Sequence, residues 1–152
     1  MEWFVKAFLK ASISWLGIGV TLGVAMVIHP PWTAYRTAHI HMNLLGFVSM
    51  MIFGVAYHVI PRFTSHPLHS RRLGGAHWCV ANLGLALLAA GFATGHGAAT
   101  LRLIMLASGG SLSAIGAYAF IYNIWRTIDG PRVAVKAPAE ATLKPTTAQP
   151  YA

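Results

Sequence analysis

Acidic side chains are almost missing from this sequence. Aspartate and glutamate together number three in 152 residues, and none lies between Trp3 and Ile128. Across that stretch the absence excludes paired-carboxylate acid–base catalysis, a carboxylate proton relay and a di-iron bundle built on Glu-x-x-His motifs. Charge of either sign is scarce as well: 9% of the residues are charged, against roughly 25% in an ordinary soluble domain. The single cysteine, Cys79, cannot close an internal disulfide. It says nothing of redox compartment and reads as a small core residue.

What is abundant is apolar surface, at 56% of residues. One soluble core cannot bury that much, but a bilayer can. A membrane helix needs about 20 consecutive apolar residues, and four segments qualify: 3–28, 33–60, 75–94 and 99–128. Pro and Gly punctuate their ends, at His29-Pro30-Pro31, Pro61, Gly95-His96-Gly97 and Asp129-Gly130-Pro131. The first run is too long for the apolar core of a signal peptide, and no small-x-small cleavage site follows it. It is expected to remain as the first span.

The net charge of +8 does not indicate nucleic acid, because the basic residues cluster at the ends of apolar runs rather than along a polar face. There they set membrane orientation. Lys6, Lys10, Arg62, Arg71, Arg72, Arg126, Arg132, Lys136 and Lys144 fall on one side, Arg36 and Arg102 on the other. The expectation is an all-α, up-down-up-down four-helix membrane bundle over 1–130 with both termini cytoplasmic, followed by a disordered cytoplasmic tail over 131–152. Its location would be a bacterial-type inner membrane. Gly19-x-x-x-Gly23, Gly91-x-x-x-Gly95 and the small-residue run from Ser108 to Ala117 permit close helix approach.

Eight histidines stand out against this apolar background, because ionisable groups within a membrane are costly and usually face the bundle interior. His29, His39, His41 and His96 fall toward the outer face, and His58 and His77 toward the inner one. His66 and His69 lie in the loop between the second and third spans and read as solvated. At about 1.5 Å per residue, His41 lies roughly 12 Å inside its helix, too deep for a loop residue. His39 and His41 point about 200° apart on a 3.6-residue helix, so one metal cannot easily take both. Neutral imidazole suits haem iron, copper or zinc. Each histidine also has a plain alternative: pairing with a neighbouring helix for His39 and His41, capping for His29 and His96, snorkelling for His58 and His77. Short connections bring the ends carrying His58 and His77 together, but without further ligands they make no site. Met42, Met50 and Met51 read as packing.

The second span runs Arg36-Thr-Ala-His39-Ile-His41-Met-Asn43-Leu44-Leu45 and continues through Phe53-Gly54 to Tyr57-His-Val-Ile60-Pro61. This resembles the second transmembrane helix of the catalytic subunit of the haem–copper oxidase and nitric oxide reductase superfamily. The resemblance implies that His41, in His41-Met42-Asn43-Leu44-Leu45, is an axial ligand of haem b, with His39 the alternative. The family subunit has many more spans, and its second haem b ligand and copper histidines lie on helices with no counterpart here. The resemblance therefore carries no complete catalytic site.

The leading expectation is a haem b-binding membrane protein with electron-transfer or gas-ligand chemistry. His96, or a histidine of another copy, would complete the coordination. Arg36 and Arg102 would pair with the haem propionates or anchor the helices at the interface. Four helices enclose a haem thinly, so a homo-oligomer is expected, with a respiratory redox partner or quinol as electron partner. The alternatives are a copper or zinc protein using His39, His41 and His96, and a non-catalytic accessory or assembly subunit of a respiratory complex.

Overall fold

The computed structural model describes residues 1–94 and 98–131. It is all helical over these residues, with four helices long and apolar enough to cross a membrane: Trp3–Ile28, Pro30–Thr64, Arg71–Ala93 and Ala99–Ile128. The shortest has 23 residues, about 35 Å at 1.5 Å per residue, which exceeds a hydrocarbon core of about 30 Å. Many large apolar side chains stay exposed on the outside of the bundle, among them Val27, Phe63, Leu103, Tyr118 and Trp125. In water such a surface would be a severe liability. In lipid it is the expected exterior.

The second helix is not uniform. It opens as a 3-10 turn over Pro30–Tyr35, becomes α-helical over Arg36–His41, widens to a π-helix over Met42–Ser49, and returns to α over Met50–Thr64. It also runs one turn beyond Ile60, through Pro61, where the sequence pattern places its exit. A proline here removes only a bond of the last turn. Two side chains occupy carbonyls of that turn: Thr64 Oγ1 donates to Ile60 O at 2.9 Å and Arg62 Nη1 to His58 O at 2.9 Å. The helix then stops at Ser65, whose φ of 56° is left-handed. The third helix starts at Arg71 rather than near Gly75, because Ser70 caps it by accepting from Leu73 N–H at 3.2 Å.

Glycines set the helix spacing. A Cβ on Gly109 would stand 2.7 Å from Leu88 N and 2.8 Å from Gly84 O, so the third and fourth helices meet backbone to backbone. Their contacts descend one helix as they climb the other: Leu88 by Gly109, Gly84 by Ser113, His77 and Ala81 by Gly116. The first and second helices do the same, with Gly23 by His39, Gly19 by Asn43 and Phe8 by Gly54. The tightest core lies toward the end where the first helix begins. It is built from Phe4, Val5, Phe8, Met50, Tyr57, Leu85 and Ile124, with Phe53 and Phe120 against it.

The 65–70 connection is tied to the fourth helix by side chains. Asn123 accepts from Ser70 N–H at 3.0 Å and donates to Ser70 O at 2.9 Å, and Thr127 Oγ1 accepts from His69 N–H at 3.0 Å. His66, expected to be solvated, is half-buried, and its Nδ1 donates to Thr127 O at 3.0 Å. The short connection cannot pass the end of the fourth helix without meeting these carbonyls. His69 is exposed and stands edge-on to Tyr122.

Candidate functional site

The Arg36–His41 segment presents two imidazoles to two different neighbours. His39 faces the first helix, where its Nδ1 lies 2.8 Å from Gly19 O. A carbonyl can only accept, so Nδ1 carries the proton and Nε2 keeps the lone pair. Asn43, one turn on, donates to His39 O at 2.9 Å and lies 3.3 Å from His39 Nδ1. The notch that admits both side chains is Gly19-x-x-x-Gly23. A Cβ on Gly19 would stand 2.6 Å from Asn43 Nδ2, and one on Gly23 would stand 2.9 Å from His39 Cε1. The sequence showed only that a partner could approach closely; the structure puts His39 and Asn43 there.

His41 faces the third helix. Its ring lies 4.7 Å from Phe92 at an interplanar angle of 36°. Its Nδ1 donates to Thr37 O at 2.8 Å, one turn back on its own helix. That bond fixes the tautomer and leaves Nε2 as the free donor atom, the arrangement common in metal-ligating histidines, whose other nitrogen is held by a carbonyl. The ring is only half-buried. Nothing among the described residues bonds its Nε2.

The π-helix begins at the next residue, Met42. Such segments add residues to a turn and so re-aim the side chains before and after them. Within it, Gly46 sits where the first and third helices press closest. A Cβ there would stand 2.6 Å from Trp15 Cβ and 2.9 Å from Leu85 Cδ2. Trp15 also donates its indole N–H to Asn82 Oδ1 at 3.2 Å, tying the first helix to the third beside this point.

The other predicted site residues are scattered. Arg36 is exposed at the start of the α segment. Arg102 is half-buried on the fourth helix, and its Nε is buried with no hydrogen-bond partner among the described residues. No hydrogen bond among those residues joins either arginine to His39 or His41. His96 lies outside the described residues. His29 is exposed where the first helix ends, its ring 5.6 Å from Trp32. Among the described residues no three His, Cys, Asp or Glu side chains form a metal-binding group.

At the other end of the bundle the structure differs from simple snorkelling. His77 is 1% exposed. Rings of Phe8, Phe53 and Phe120 stand 4.8, 4.7 and 5.8 Å from it, Tyr57 Oη lies 3.1 Å from its Nδ1, and its Nε2 has no partner among the described residues. His58, by contrast, faces Arg62. Sequence reasoning missed this enclosure. The signal available was that Phe4, Phe8, Phe53, Tyr57 and Phe120 all sit near the same ends of their helices as His77.

The family described as Cytochrome C and Quinol oxidase polypeptide I matches residues 4–139, so the match runs through all four helices. The chain belongs to this family. Curated relatives include the cbb3-type cytochrome c oxidase subunit CcoN1 of Stutzerimonas stutzeri, 26% identical over 164 residues, covering 86% of this chain and 34% of that protein. The cytochrome c oxidase subunit 1 homolog, bacteroid, of Bradyrhizobium diazoefficiens is 26% identical over 88% of this chain and 30% of its own length. The cytochrome c oxidase subunit 1 of Rhodobacter capsulatus is 26% identical over 90% of this chain and 32% of its own. As a member of the oxidase polypeptide I family with four apolar spans, the chain is a multi-pass membrane protein. It spans about a third of the length of these relatives.

Proposed function

We propose that this oxidase polypeptide I relative binds haem b through His41 and serves electron transfer or gas-ligand binding in a bacterial inner membrane. The observation that carries the proposal is the state of the His41 ring. Its Nδ1–H is held by Thr37 O at 2.8 Å while Nε2 is left unbonded and half-buried beside Phe92. His39 is the weaker candidate, because its ring is wedged against Gly19 and Gly23 of the first helix.

The residues present fit a haem ligand. His41 Nε2 would hold the iron, Thr37 O would keep the ring oriented and increase its basicity, and Phe92 would keep water from one side of the ring. Arg102 would suit a propionate: a buried guanidinium nitrogen without a partner gains most from a carboxylate. Arg36 is the second candidate for this role. Bound haem would supply a one-electron iron centre, or, with a coordination position left open, a site for nitric oxide or oxygen.

His41 occupies a flank of the second helix rather than the bundle core. The second ligand would therefore come from His96 or from a neighbouring protein, and a homo-oligomer with cofactor between copies is the form we propose. Purification of a strictly monomeric, haem-loaded form would overturn the oligomer. The copper or zinc alternative has less support, because His39 and His41 face different helices.

The test is an optical spectrum of detergent-purified protein, oxidised and dithionite-reduced, with a pyridine haemochrome assay and metal analysis. Soret and α bands of b type are expected, and a further shift with carbon monoxide or nitric oxide would assign gas binding over simple electron transfer. Absence of haem from cells supplied with haem precursor would overturn the proposal.

A further inference from the structure

At the end of the bundle away from His41 lies a cavity of about 520 Å³ that the haem proposal does not use. The start of the first helix, the end of the second and the 65–68 connection form its walls, and its polar lining is dominated by Arg62, Arg71, His58 and His66. Glu2 is the one carboxylate in the wall, and Arg71 takes it, with Nε 3.1 Å from Oε1. Arg62 has no such partner among the described residues. Its Nη1 folds back one turn onto His58, 2.6 and 2.7 Å from the ring nitrogens, and no bond to its Nε or Nη2 exists among the described residues.

His66 donates Nδ1–H to Thr127 O, and its Nε2 is buried with no partner among the described residues. That remaining nitrogen is an acceptor, because Nδ1 carries the proton, so the cavity's unmet need lies with Arg62: a guanidinium edge with no carboxylate among the described residues lines a space whose single carboxylate is already engaged. Val5 and Pro61 give the same space an apolar wall. Cationic donors beside apolar surface at the end of a membrane helix match a phosphate joined to a lipid, since guanidinium pairs with phosphate through two parallel bonds and basic pockets at helix ends take anionic headgroups.

We propose that this cavity is a binding site for a phosphate group, supplied by the headgroup of an anionic phospholipid, with Arg62 as its principal contact. The proposal is independent of haem at His41, and its test does not read haem. The thermal-unfolding midpoint of the full chain in an uncharged detergent is titrated with short-chain phosphatidylglycerol, with the matching phosphatidylcholine and with inorganic phosphate. Phosphatidylglycerol is expected to raise the midpoint saturably and phosphatidylcholine to leave it unchanged. Arg62→Gln should weaken half-saturation by about tenfold or more, as loss of a charged hydrogen-bonding group does, and Arg62→Lys by less. A response to inorganic phosphate equal to that of phosphatidylglycerol would keep the site and assign it to soluble phosphate. Equal response to both lipids, or an unchanged Arg62→Gln titration, would overturn it. Should Arg62→Gln fail to fold, the unaltered chain decides: the phosphatidylglycerol response must weaken as salt is raised, and a salt-independent response overturns the proposal.

Discussion

His77 and His41 occupy opposite ends of one bundle, and the contrast between them shows how surroundings divide the work of a single residue type. His77 is closed in by four aromatic rings and bonded to Tyr57. Its other nitrogen is buried, with no partner among the described residues. His41 sits on a helix flank with one nitrogen held by its own backbone and the other available. The first arrangement fixes packing; the second prepares a donor atom. Near His77 the helices are held together by interlocking aromatics packed over Gly54, Gly74 and Gly116, and near His41 by the glycine notch that admits His39 and Asn43.

The largest effect that would sharpen this contrast is on stability at His77. His77→Ala should cost about 3 kcal/mol, as removal of a large buried ring does when the site cannot collapse. His77→Phe keeps an aromatic ring in the enclosure and should cost less, about 1.5 kcal/mol, for a slightly larger ring and the lost Tyr57 bond. Reversible unfolding in mixed detergent reads both. Equal losses for the two variants would mean that the Tyr57 bond, and not the packing, is what His77 supplies.

Next in size is an adjacent pair on the fourth helix. Gly109→Ala places a methyl 2.7 Å from backbone of the third helix and should cost about 2 kcal/mol. Gly110→Ala meets nothing within 4 Å and should be neutral or stabilising by up to about 1 kcal/mol. A smaller loss, about 1 kcal/mol, is expected of Gly19→Ala, whose methyl meets the Asn43 amide rather than backbone. Gly17→Ala, with open space around it, is its control. If Gly19→Ala proved as stable as Gly17→Ala, the notch would not be what positions His39. The smallest effect is at His41 itself: in the absence of cofactor, His41→Ala should change stability by no more than about 0.5 kcal/mol, since the ring is half-exposed and its one bond is local. A loss as large as that of His77→Ala would erase the distinction between the two regions.

Much of the fold could be read from composition. Apolar runs of helical length, with Pro and Gly at their ends, gave four helices because a bilayer leaves few other ways to satisfy the backbone. Element ends were less legible. The passage through Pro61 removes one backbone bond near the helix end, in a turn where Thr64 and Arg62 also bond Ile60 O and His58 O, and the early start at Arg71 depends on one serine cap. The π-helix over Met42–Ser49 has no signature in residue periodicity that the pattern would reveal. Of the candidate site, the divergence of His39 and His41 follows from helical geometry alone. Which neighbour each would meet depended on glycines twenty residues away and on Phe92, and these are set by tertiary packing. His66 and His77 read as solvated or snorkelling because sequence position near a helix end does not show what the adjacent helices bring against it.

The central claim is that His41, and not His39, is the haem-ligating residue, and haem stoichiometry in the two single variants tests it most directly. His41→Ala and His39→Ala are purified from haem-replete cells alongside the unaltered chain, and bound haem is measured per polypeptide by pyridine haemochrome. The account predicts that haem is lost from His41→Ala and retained in His39→Ala. Retention in His41→Ala, or loss in His39→Ala alone, would contradict it.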